Sequence, residues 1–550
     1  MSQPPQDDSV ILDIRSMRVA VRTDVGEGPV LVDDVSLTLR RGEVIGLIGE
    51  SGAGKSTIGL ASMGYTRRGC QIIGGDIIFG DTDIRTISPK ERRALRGPKI
   101  AYVAQSAAAS FNPAHTLMEQ VCEASIRHGV LTPAEARAEA ISLFKQLDLP
   151  NPETIGSRYP HQVSGGQLQR VMAAMAMVAK PDILIFDEPT TALDVTTQVE
   201  CLAAFRRLIR GHGTAALYIT HDLAVVAQIA DRIMVLQRGK MVELGGSRQI
   251  LQEPKEEYTR RLVSERVAGH RFVDSAAAGE APILAIDHVS ADYPGKPRVI
   301  DDVSLEVRRG DTLAVVGESG SGKSTLARVV TGLLPRSAGD VRFGGASLPP
   351  RLKDRTRDQL RRVQMIYQMP DVALNPQHTV LETIGRPVAF YFKRSRDEVR
   401  DRVVELLRQM DLPESFITRK TSELSGGQKQ RVSIARALAA EPDLIICDEV
   451  TSALDQLVGE EILRLLKRLQ DELGVAYLFI THDLGTVKRI ANKVAVMLKG
   501  QVVANGPTVD VFAPPYHPYT ELLLSSVPEM RPEWLDEALA RRTAKPARAN

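Results

Sequence analysis

Residues Val30–Thr57 read VLVDDVSLTLRRGEVIGLIGESGAGKST, and Arg298–Thr325 repeat most of them as RVIDDVSLEVRRGDTLAVVGESGSGKST. In both copies a short apolar run ends at a glycine and leads into the pattern G-x-x-x-x-G-K-[ST]. Such a run is typical of a strand buried on both faces. The glycines let backbone amides turn inward around phosphate groups, and the N-terminus of the following helix favours an anion. The sequence therefore predicts two phosphate-binding loops (P-loops).

Each residue type in this pattern has a chemical task. The lysine reaches the β- and γ-phosphates of a nucleotide, and the hydroxyl after it can bind Mg²⁺. The predicted nucleotide-binding residues of the first copy are Gly49, Glu50, Ser51, Gly52, Ala53, Gly54, Lys55, Ser56 and Thr57. Those of the second copy are Gly317, Glu318, Ser319, Gly320, Ser321, Gly322, Lys323, Ser324 and Thr325.

The repetition extends over most of the 550-residue chain. VSGGQLQR, ILIFDEPTTALD and ITHDL recur as LSGGQKQR, LIICDEVTSALD and ITHDL, so the sequence predicts two copies of one domain. The offset is 268 between Gly49 and Gly317 and 261 between Glu188 and Glu449. The predicted parts are a flexible N-terminus (1–9), domain 1 (10–265), a linker (266–281), domain 2 (282–530) and a basic tail (531–550). We expect this Arg/Ala-rich tail to be partly disordered.

Acidic and polar side chains follow further apolar runs. An Asp at the end of the second strand can hold Mg²⁺ through water, and a Gln after another strand can offer its amide oxygen. The Glu after the Asp can orient the attacking water, and a His after a third strand can contact the γ-phosphate or hold that Glu. The predicted catalytic residues are Glu188, His221, Glu449 and His482. The predicted metal ligands are Ser56, Gln105, Asp187, Ser324, Gln368 and Asp448.

Composition limits the class of protein. Apolar residues make up 43% and charged residues 25% of the chain, and the net charge of +2 gives no argument for bulk nucleic-acid binding. The four cysteines are scattered, so neither a metal knuckle nor a disulfide framework is predicted. The N-terminus has no signal-peptide pattern. The longest apolar stretch, Val171–Ala179, is too short to span a bilayer, so we expect any membrane role to depend on partners.

The fold class follows from the same patterns. Apolar strands that alternate with helices predict an α/β fold with a mostly parallel sheet in each half. The segments 133–149 and 396–412 carry leucines at helical spacing among charged residues. They predict amphipathic helices and a separate helical lobe in each half.

The motif set resembles the ATP-binding cassette (ABC) ATPases. The order P-loop, YVAQ or IYQ, SGGQ, DE, ALD and THD occurs twice and covers nearly the whole chain apart from the termini and the linker. SGGQ distinguishes that family from P-loop proteins in general. The resemblance implies two tandem P-loop NTPase domains, each with a parallel-sheet core, an antiparallel β subdomain and a helical lobe. It also implies ATP and Mg²⁺ as cofactors.

The resemblance further implies that the SGGQ loop of each half faces the P-loop of the other half. A loop that precedes a helix can aim backbone amides at a phosphate. The additional nucleotide-binding residues are then Ser164, Gly165, Gly166, Gln167, Ser425, Gly426, Gly427 and Gln428. Asp194 and Asp455 would communicate between the sites. Fusion raises the effective concentration of the halves to roughly millimolar, so we expect them to pair within one chain.

Two positions depart from the family pattern. An aromatic residue usually stacks on adenine, and Tyr293 matches it in the second half, whereas Val21 stands there in the first. Stacking is worth about 0.5–1.5 kcal/mol, so either the first site binds ATP more weakly or a nearby side chain substitutes. Val450 replaces the proline of the DEP motif. Because both Glu residues remain, we expect two active sites.

Three segments narrow the branch of the family. SFNPAHTLMEQV and ALNPQHTVLETI follow the two glutamines, and PPYHPYTELLLSSVP near the C-terminus has a weaker counterpart in EPKEEYTRRLV. They are similar to dipeptide, oligopeptide and nickel importers. The implied partners are two permease subunits and an external substrate-binding protein. The chain would then lie peripherally at the cytoplasmic face of the bacterial inner membrane, contact the membrane only through the permeases and bind no nucleic acid.

Other functions stay open at this point. A soluble tandem-cassette ATPase acting in translation or DNA repair is the alternative, although the short linker and the absence of zinc-type Cys pairs count against it. The cargo is a peptide, an opine, glutathione, nickel or a sugar. Some members of the importer branch carry an iron–sulfur cluster near the C-terminus. No cysteine follows Cys447, so none is predicted here.

Overall fold

The structure, a computed structural model, describes residues 9–23, 26–191, 193–267, 281–295, 297–452 and 454–544. The chain divides into two compact units. Unit 1 comprises Met1–Leu193, Thr197–Ala268 and Pro528–Asn550, and unit 2 comprises Asp194–Thr196 and Gly269–Val527. The predicted flexible N-terminus and the predicted linker lie mostly outside the described residues.

The first copy of the repeat carries ten strands and ten helices within the described residues. Its strands are β1 (Val10–Thr23), β2 (Gly26–Arg40), β3 (Val44–Ile48), β4 (Cys70–Phe79), β5 (Thr82–Asp83), β6 (Ile100–Val103), β7 (Ile183–Asp187), β8 (Ala215–Ile219), β9 (Arg232–Gln237) and β10 (Lys240–Gly246). Its helices are α1 (Lys55–Ser62), α2 (Pro89–Leu95), α3 (Ala107–Ser110), α4 (Leu117–Arg127), α5 (Pro133–Gln146), α6 (Gly165–Met177), α7 (Val195–His212), α8 (Leu223–Val226), α9 (Ser247–Gln252) and α10 (Glu257–Val267). Short 3₁₀ turns span Ile155–Ser157 and Pro160–Gln162.

The second copy follows the same order. Its strands are β11 (Leu284–Asp292), β12 (Arg298–Val307), β13 (Thr312–Val316), β14 (Ala338–Phe343), β15 (Ala346–Ser347), β16 (Val363–Ile366), β17 (Leu444–Asp448), β18 (Ala476–Ile480), β19 (Lys493–Leu498) and β20 (Gln501–Pro507). Its helices are α11 (Lys323–Thr331), α12 (Arg357–Arg362), α13 (Pro370–Ala373), α14 (Val380–Phe392), α15 (Arg396–Gln409), α16 (Gly426–Leu438), α17 (Gln456–Leu473), α18 (Leu484–Ile490), α19 (Thr508–Val511) and α20 (Pro518–Ser525). Three 3₁₀ turns span Leu352–Asp354, Glu414–Thr418 and Thr421–Glu423, and α21 (Trp534–Ala544) ends the described chain.

Each unit has two sheets of the same topology. The six-stranded sheet of unit 1 has the order β10-β9-β3-β8-β7-β6, and that of unit 2 has the order β16-β17-β18-β13-β19-β20. All neighbours run parallel except the edge pairs β9/β10 and β19/β20. A second, antiparallel sheet has the order β2-β1-β4-β5 in unit 1 and β12-β11-β14-β15 in unit 2. The predicted fold class is confirmed.

Burial explains why the central strands form. Every residue of β3, β7 and β8 is buried, as are those of β13, β17 and β18. Parallel strands covered by helices on both faces need continuous apolar runs, and these are the runs that end in the motif residues. The carboxyl ends of neighbouring parallel strands meet at one edge, so the topology gathers the motifs there.

The helical lobes contain the two predicted amphipathic segments. Helix α5 begins after Thr132, which forms a capping box with Glu135, and α15 begins after Ser395, which forms one with Glu398. A capping box satisfies two otherwise unpaired backbone amides of the first helical turn and is worth about 1 kcal/mol. The helices of each lobe are therefore started by local sequence and then held by their apolar faces.

The last helix differs from the expected disordered tail. Helix α21 belongs to unit 1, where Trp534 and Leu535 are fully buried. Gln228, in the turn after α8, donates its amide Nε2 to the carbonyl of Glu529 at 2.6 Å and accepts from the amide of Leu535 at 3.0 Å. A few apolar residues inside this basic segment are thus enough to pack α21 against the rest of unit 1. Residues 545–550 lie outside the described part of the chain.

Candidate nucleotide-hydrolysing sites

The P-loop of each unit follows the central strand and opens a helix. Lys55 and Lys323 are the first residues of α1 and α11, and both are buried. Gly54 before α1 has φ 93°, a left-handed conformation that a side chain disfavours. Lys55 donates its Nζ to the carbonyls of Gly49 at 2.6 Å and Glu50 at 2.9 Å, so the loop curls around the ammonium group.

The surroundings of the P-loop lysine in unit 2 favour binding of an anion. Burial lowers the pKa of Lys323, although the charges of Glu449, Asp194 and other acidic groups oppose that shift. Its Nζ donates to the carbonyls of Gly317 and Glu318, both at 2.8 Å. A buried cation with amides at a helix N-terminus beside it favours a negatively charged ligand. The residues therefore fit the phosphates of a nucleotide.

A hydroxyl and a carboxylate lie side by side at each P-loop. Ser56 donates its hydroxyl to Asp187 Oδ1 at 2.8 Å, and Ser324 donates to Asp448 Oδ1 at 3.3 Å. Oxygen donors of this kind are the ligands that Mg²⁺ prefers. Among the described residues, no group of three or more His, Cys, Asp or Glu forms a metal site. The structure thus brings together one predicted carboxylate ligand and one predicted hydroxyl ligand at each P-loop, and Gln105 and Gln368 stay predicted as further Mg²⁺ ligands.

The two carboxylates have different surroundings. In unit 1 the hydroxyl of Tyr102 donates to Asp187 Oδ2 at 2.5 Å. Strand pairing puts Met365 of unit 2 in the equivalent place, because Ile100 pairs with Ile183 as Val363 pairs with Leu444. Burial, and next the charge of Glu449, raise the pKa of Asp448. Tyr102 was not among the predicted site residues. Its only sequence signal is the difference between IAYV and VQMI at their third positions.

The predicted catalytic residues of unit 1 lie together. Glu188 Oε1 is 3.3 Å from His221 Nδ1. Its other oxygen accepts from Gln105 Nε2 at 3.1 Å and from the hydroxyl of Thr191 at 3.2 Å. The amide nitrogen of Gln105 thus contacts Glu188, the predicted base, directly. Glu188 follows Asp187, the predicted Mg²⁺ ligand, in the chain. Thr191 is a further partner of Glu188 that was not predicted from the sequence.

Unit 2 repeats this arrangement. Glu449 Oε1 is 3.5 Å from His482 Nδ1, and Gln368 donates its amide Nε2 to Glu449 Oε2 at 2.7 Å. The hydroxyl of Ser452 instead donates to the backbone carbonyl of Glu449 at 2.9 Å. The pairing of Glu, His and Gln is therefore common to both sites, and the third hydroxyl contact is not.

The surroundings of each Glu–His pair favour the charged forms of both partners. Burial disfavours the ionised form of both partners in unit 1, but their hydrogen bond and mutual charge outweigh it. The pKa of Glu188 is lowered and that of His221 is raised, and the same holds for Glu449 and His482 in unit 2. The histidine therefore holds a carboxylate that stays ionised, as a base requires.

The backbone at both glutamates is strained. Glu188 has φ 49° and Glu449 has φ 50°, in the left-handed region. This conformation costs a residue with a side chain about 1–3 kcal/mol, and such costs concentrate at functional sites. The amide of Glu188 donates to the carbonyl of Ile219 at 2.9 Å, which ties it to the end of β8 where His221 follows. The left-handed backbone at the glutamate thus recurs in both copies.

The SGGQ segments open long helices. Ser164 caps α6 by accepting from the amide of Gln167, whose side-chain oxygen accepts from the amide of Ser164 at 3.1 Å. Ser425 and Gln428 form the same capping box at α16. Gly166 has a packing reason as well, because a Cβ there would lie 2.1 Å from Cγ2 of Thr197 on α7. The first-turn amides remain without intrahelical partners, while Ser and Gln act as caps.

Strand register supports treating Val21 and Tyr293, the predicted adenine-stacking positions, as equivalent places in the two copies. Val35 and Val303 hold the same place in the repeated DDVSL, and they pair with Met17 and Val289. Val21 and Tyr293 each lie four residues beyond those partners. The hydroxyl of Tyr293 accepts from Arg328 Nη1 at 2.8 Å, so its ring is held beside α11. The register thus supports the alignment of Val21 with Tyr293.

The fold and these sites define a protein with two P-loop nucleotide hydrolase domains. The family model described as "ABC transporter" matches residues 32–191 and 300–452. A second model, "Oligopeptide/dipeptide transporter, C-terminal region", matches residues 504–550. The chain belongs to the ABC transporter family, and it is an ATP-binding ATPase of that family with two cassettes.

Curated relatives match nearly end to end. Glutathione import ATP-binding protein GsiA of Pectobacterium atrosepticum is 36% identical, with 95% of this chain and 90% of that one covered. The protein of the same name from Salmonella typhimurium is 37% identical over the same shares. Peptidoglycan transport ATP-binding protein YejF of Agrobacterium fabrum is 38% identical, with 94% of this chain and 96% of that one covered.

The helices also bear on whether the chain could cross a bilayer. Within the described part of the chain, none combines the length and the apolar character that a bilayer-spanning helix needs.

Proposed function

We propose that this chain is the ATP-hydrolysing subunit of a binding-protein-dependent importer in a bacterial inner membrane, with peptides or related small solutes such as glutathione as cargo. One observation carries the proposal. Two complete sets of P-loop lysine, Asp, Glu and His occur in a chain whose C-terminal segment matches the oligopeptide/dipeptide transporter region. The names of the relatives support the choice of cargo class.

The chemistry of site one follows from its contacts. Lys55 and the loop amides would hold the β- and γ-phosphates. Ser56 and Asp187 would hold Mg²⁺, which would neutralise phosphate charge when bound. Glu188 accepts a proton from the attacking water, whose oxygen bonds to the γ-phosphorus as the bond to the β–γ bridging oxygen breaks. The products are ADP and phosphate. His221 and Gln105 keep the carboxylate pointed at the water, and site two works identically through Glu449, His482 and Gln368.

The SGGQ segments complete these sites in the proposed mechanism. Ser425–Gln428 would cap the nucleotide held by Lys55, and Ser164–Gln167 the one held by Lys323, as the family resemblance implies. The outward-facing amides of the first turns of α6 and α16, each a helix of 13 residues, support this role. ATP binding then closes the two cassettes and hydrolysis reopens them, with Asp194 and Asp455 communicating between the sites.

The proposed partners are two permease subunits and an external binding protein. In unit 2 an exposed apolar segment follows the end of β16, where Tyr367, Met369 and Val372 are 43%, 55% and 82% exposed. It precedes Asn375 of the importer-type segment. Exposed apolar patches mark protein contacts more often than chance, so we assign the permease contact to it. The chain would then lie peripherally at the cytoplasmic face of the membrane and bind no nucleic acid.

Reconstitution tests the proposal. The chain, two permease subunits of the proposed importer and its binding protein are placed in lipid nanodiscs, and phosphate release is measured with Mg²⁺ and ATP. We expect the binding protein loaded with a dipeptide or glutathione to raise the rate, while the unloaded protein does not. The variant with both Glu188→Gln and Glu449→Gln is the control for contaminating ATPase. A chain that does not assemble with the permeases, or a rate that no peptide-like cargo changes, would refute the importer assignment.

A further inference from the structure

The His-Pro-Tyr-Thr run near the C-terminus has a structural task at every position. His517 caps helix α20, because its ring Nδ1 accepts from the amide of Tyr519 at 3.2 Å. Pro518 is the first residue of the helix, where its missing N–H costs nothing. Thr520 is buried, at 1% exposure, and Tyr519 is 7% exposed. The run therefore fixes the start of a helix and turns a tyrosine inward.

That tyrosine reaches the P-loop. The hydroxyl oxygen of Tyr519 accepts from the amide of Glu318 at 2.9 Å, and Glu318 is the second residue of the loop. The ring packs in a cluster with Val316 and Ala314 of β13, the strand that leads into the loop. Burial raises the pKa of Tyr519, so the group remains a neutral phenol. The C-terminal helix thus supports the point where the strand becomes the P-loop.

The first copy has a matching contact of different chemistry. Tyr258 in α10 lies 261 positions before Tyr519, the same offset as the other late motifs. Its hydroxyl donates to Glu50 Oε1 at 3.2 Å, and Glu50 is the second residue of the first P-loop. In unit 1, Tyr258 therefore contacts the side chain of Glu50. In unit 2, Tyr519 contacts the backbone amide of Glu318 instead.

We propose that Tyr258 and Tyr519 are positioning residues that set the nucleotide affinity of their own P-loops. The phosphate-binding amides belong to the loop residues directly after Glu50 and Glu318, so a shift of these glutamates redirects the amides. The C-terminal region shared with oligopeptide and dipeptide transporters then acts as a brace for the P-loop. The inference rests on nucleotide binding, as proposed above, and is independent of the cargo.

The test measures the dissociation constant of Mg²⁺-ATP at one site at a time in the full-length chain. Lys323→Ala silences site two for measurements on site one, and Lys55→Ala silences site one for measurements on site two. Tyr258→Phe and Tyr519→Phe keep the ring and remove the hydroxyl. Loss of one hydrogen bond that orders the loop should weaken binding about three- to tenfold at the site of the same unit. Tyr65→Phe, at an exposed tyrosine of unit 1, should leave binding unchanged.

A double-mutant cycle separates positioning from a general loss of stability. Glu50→Ala removes the only group through which Tyr258 is proposed to act, so adding Tyr258→Phe should weaken binding no further. Glu318→Ala leaves its backbone amide in place, so Tyr519→Phe should keep its full effect in that background. This contrast arises because one contact uses a side chain and the other uses the backbone.

The outcomes are distinguishable. If the parent chain binds no nucleotide, the proposed function fails before the inference is tested. If the parent binds and Tyr519→Phe lowers the melting temperature without changing the dissociation constant, the tyrosine is merely structural and the inference is overturned. Additive effects of Tyr258→Phe and Glu50→Ala would overturn it for site one.

Discussion

Replacing Glu188 with glutamine removes the proposed base and preserves the shape of the side chain. Three donors surround the carboxylate, from His221, Gln105 and Thr191. An amide must turn its NH₂ toward at least one of them, so one contact is lost. A neutral hydrogen bond contributes about 0.5–1.5 kcal/mol, which the fold tolerates. The variant should therefore fold and bind ATP, and its defect should lie in hydrolysis.

The size of the fall in total turnover distinguishes independent sites from coupled sites. Loss of a general base lowers the rate at its own site about 10²- to 10⁴-fold. If the sites acted independently, the intact one would leave about half of the total turnover. If both sites must hydrolyse in each cycle, as closure of the two cassettes implies, turnover falls to about one hundredth or less. We expect the second result for Glu188→Gln and also for Glu449→Gln, because the Glu–His–Gln contacts recur in unit 2.

The assay is steady-state phosphate release at saturating Mg²⁺-ATP by the chain assembled with its permeases. Glu123→Gln is the matched control, because that glutamate is 63% exposed and pairs only with its neighbour Arg127 within the helix. Half of the parent rate in each single variant would refute coupling between the sites. A parent-like rate for Glu449→Gln would show that site two is not catalytic, and the replacement of proline by Val450 would then be the first place to look.

Three further changes test individual contacts. Tyr102→Phe removes the donor from the buried Asp187 and should lower the free energy of unfolding of unit 1 by about 1.5–3 kcal/mol in chemical denaturation; a loss below about 0.5 kcal/mol would contradict the contact. Trp534 is the only tryptophan of the chain and is 1% exposed, so its fluorescence should be blue-shifted in the parent. It should shift to the red in Gln228→Ala, which removes the hydrogen bonds to Glu529 and to Leu535 of α21. A solvent-like emission in the parent would show that the helix does not dock. Val21→Tyr should strengthen ATP binding at site one by about 0.5–1.5 kcal/mol, measured by equilibrium titration, and an unchanged affinity would mean that another side chain already stacks on adenine.

The sequence predicted those features that local chemistry sets. Strands buried on both faces, the P-loops and the Asp-Glu pairs each depend on a few consecutive residues, so they can be recognised in one chain. Because the chain repeats itself, each of these motifs could be recognised twice. Parallel topology also followed, because motifs at several strand ends can form one site only if those ends meet. The pairing of Glu188 with His221 was one of the two roles foreseen for that histidine.

Contacts between residues far apart in the chain were not predictable in the same way. Tyr102 meets Asp187 across 85 positions, and the need for glycine at position 166 comes from Thr197 on another helix. Neither has a local pattern that requires the partner. The docked α21 was missed for another reason. Its buried residues are few and lie among arginines, so composition indicated a solvated tail although the tryptophan supplied enough apolar area to hold it.

The two sites agree in some parts and differ in others. The Glu–His–Gln contacts and the left-handed backbone at the Glu are the same in both units, and these are the groups proposed to act on the attacking water. The differences concern residues that hold the nucleotide or its surroundings, namely Val21 against Tyr293, Tyr102 against Met365, and the contacts of Tyr258 against those of Tyr519.

Interactions that bind substrate and transition state equally change KM and leave kcat unaltered. We therefore expect the sites to differ in ATP affinity and to share one hydrolysis rate. When Glu188→Gln or Glu449→Gln blocks hydrolysis at one site and leaves ATP bound there, single-turnover hydrolysis at the other site should proceed at the same rate for both sites at saturating ATP, although their dissociation constants differ. Rates that differ tenfold at saturation would place the asymmetry in the chemistry itself.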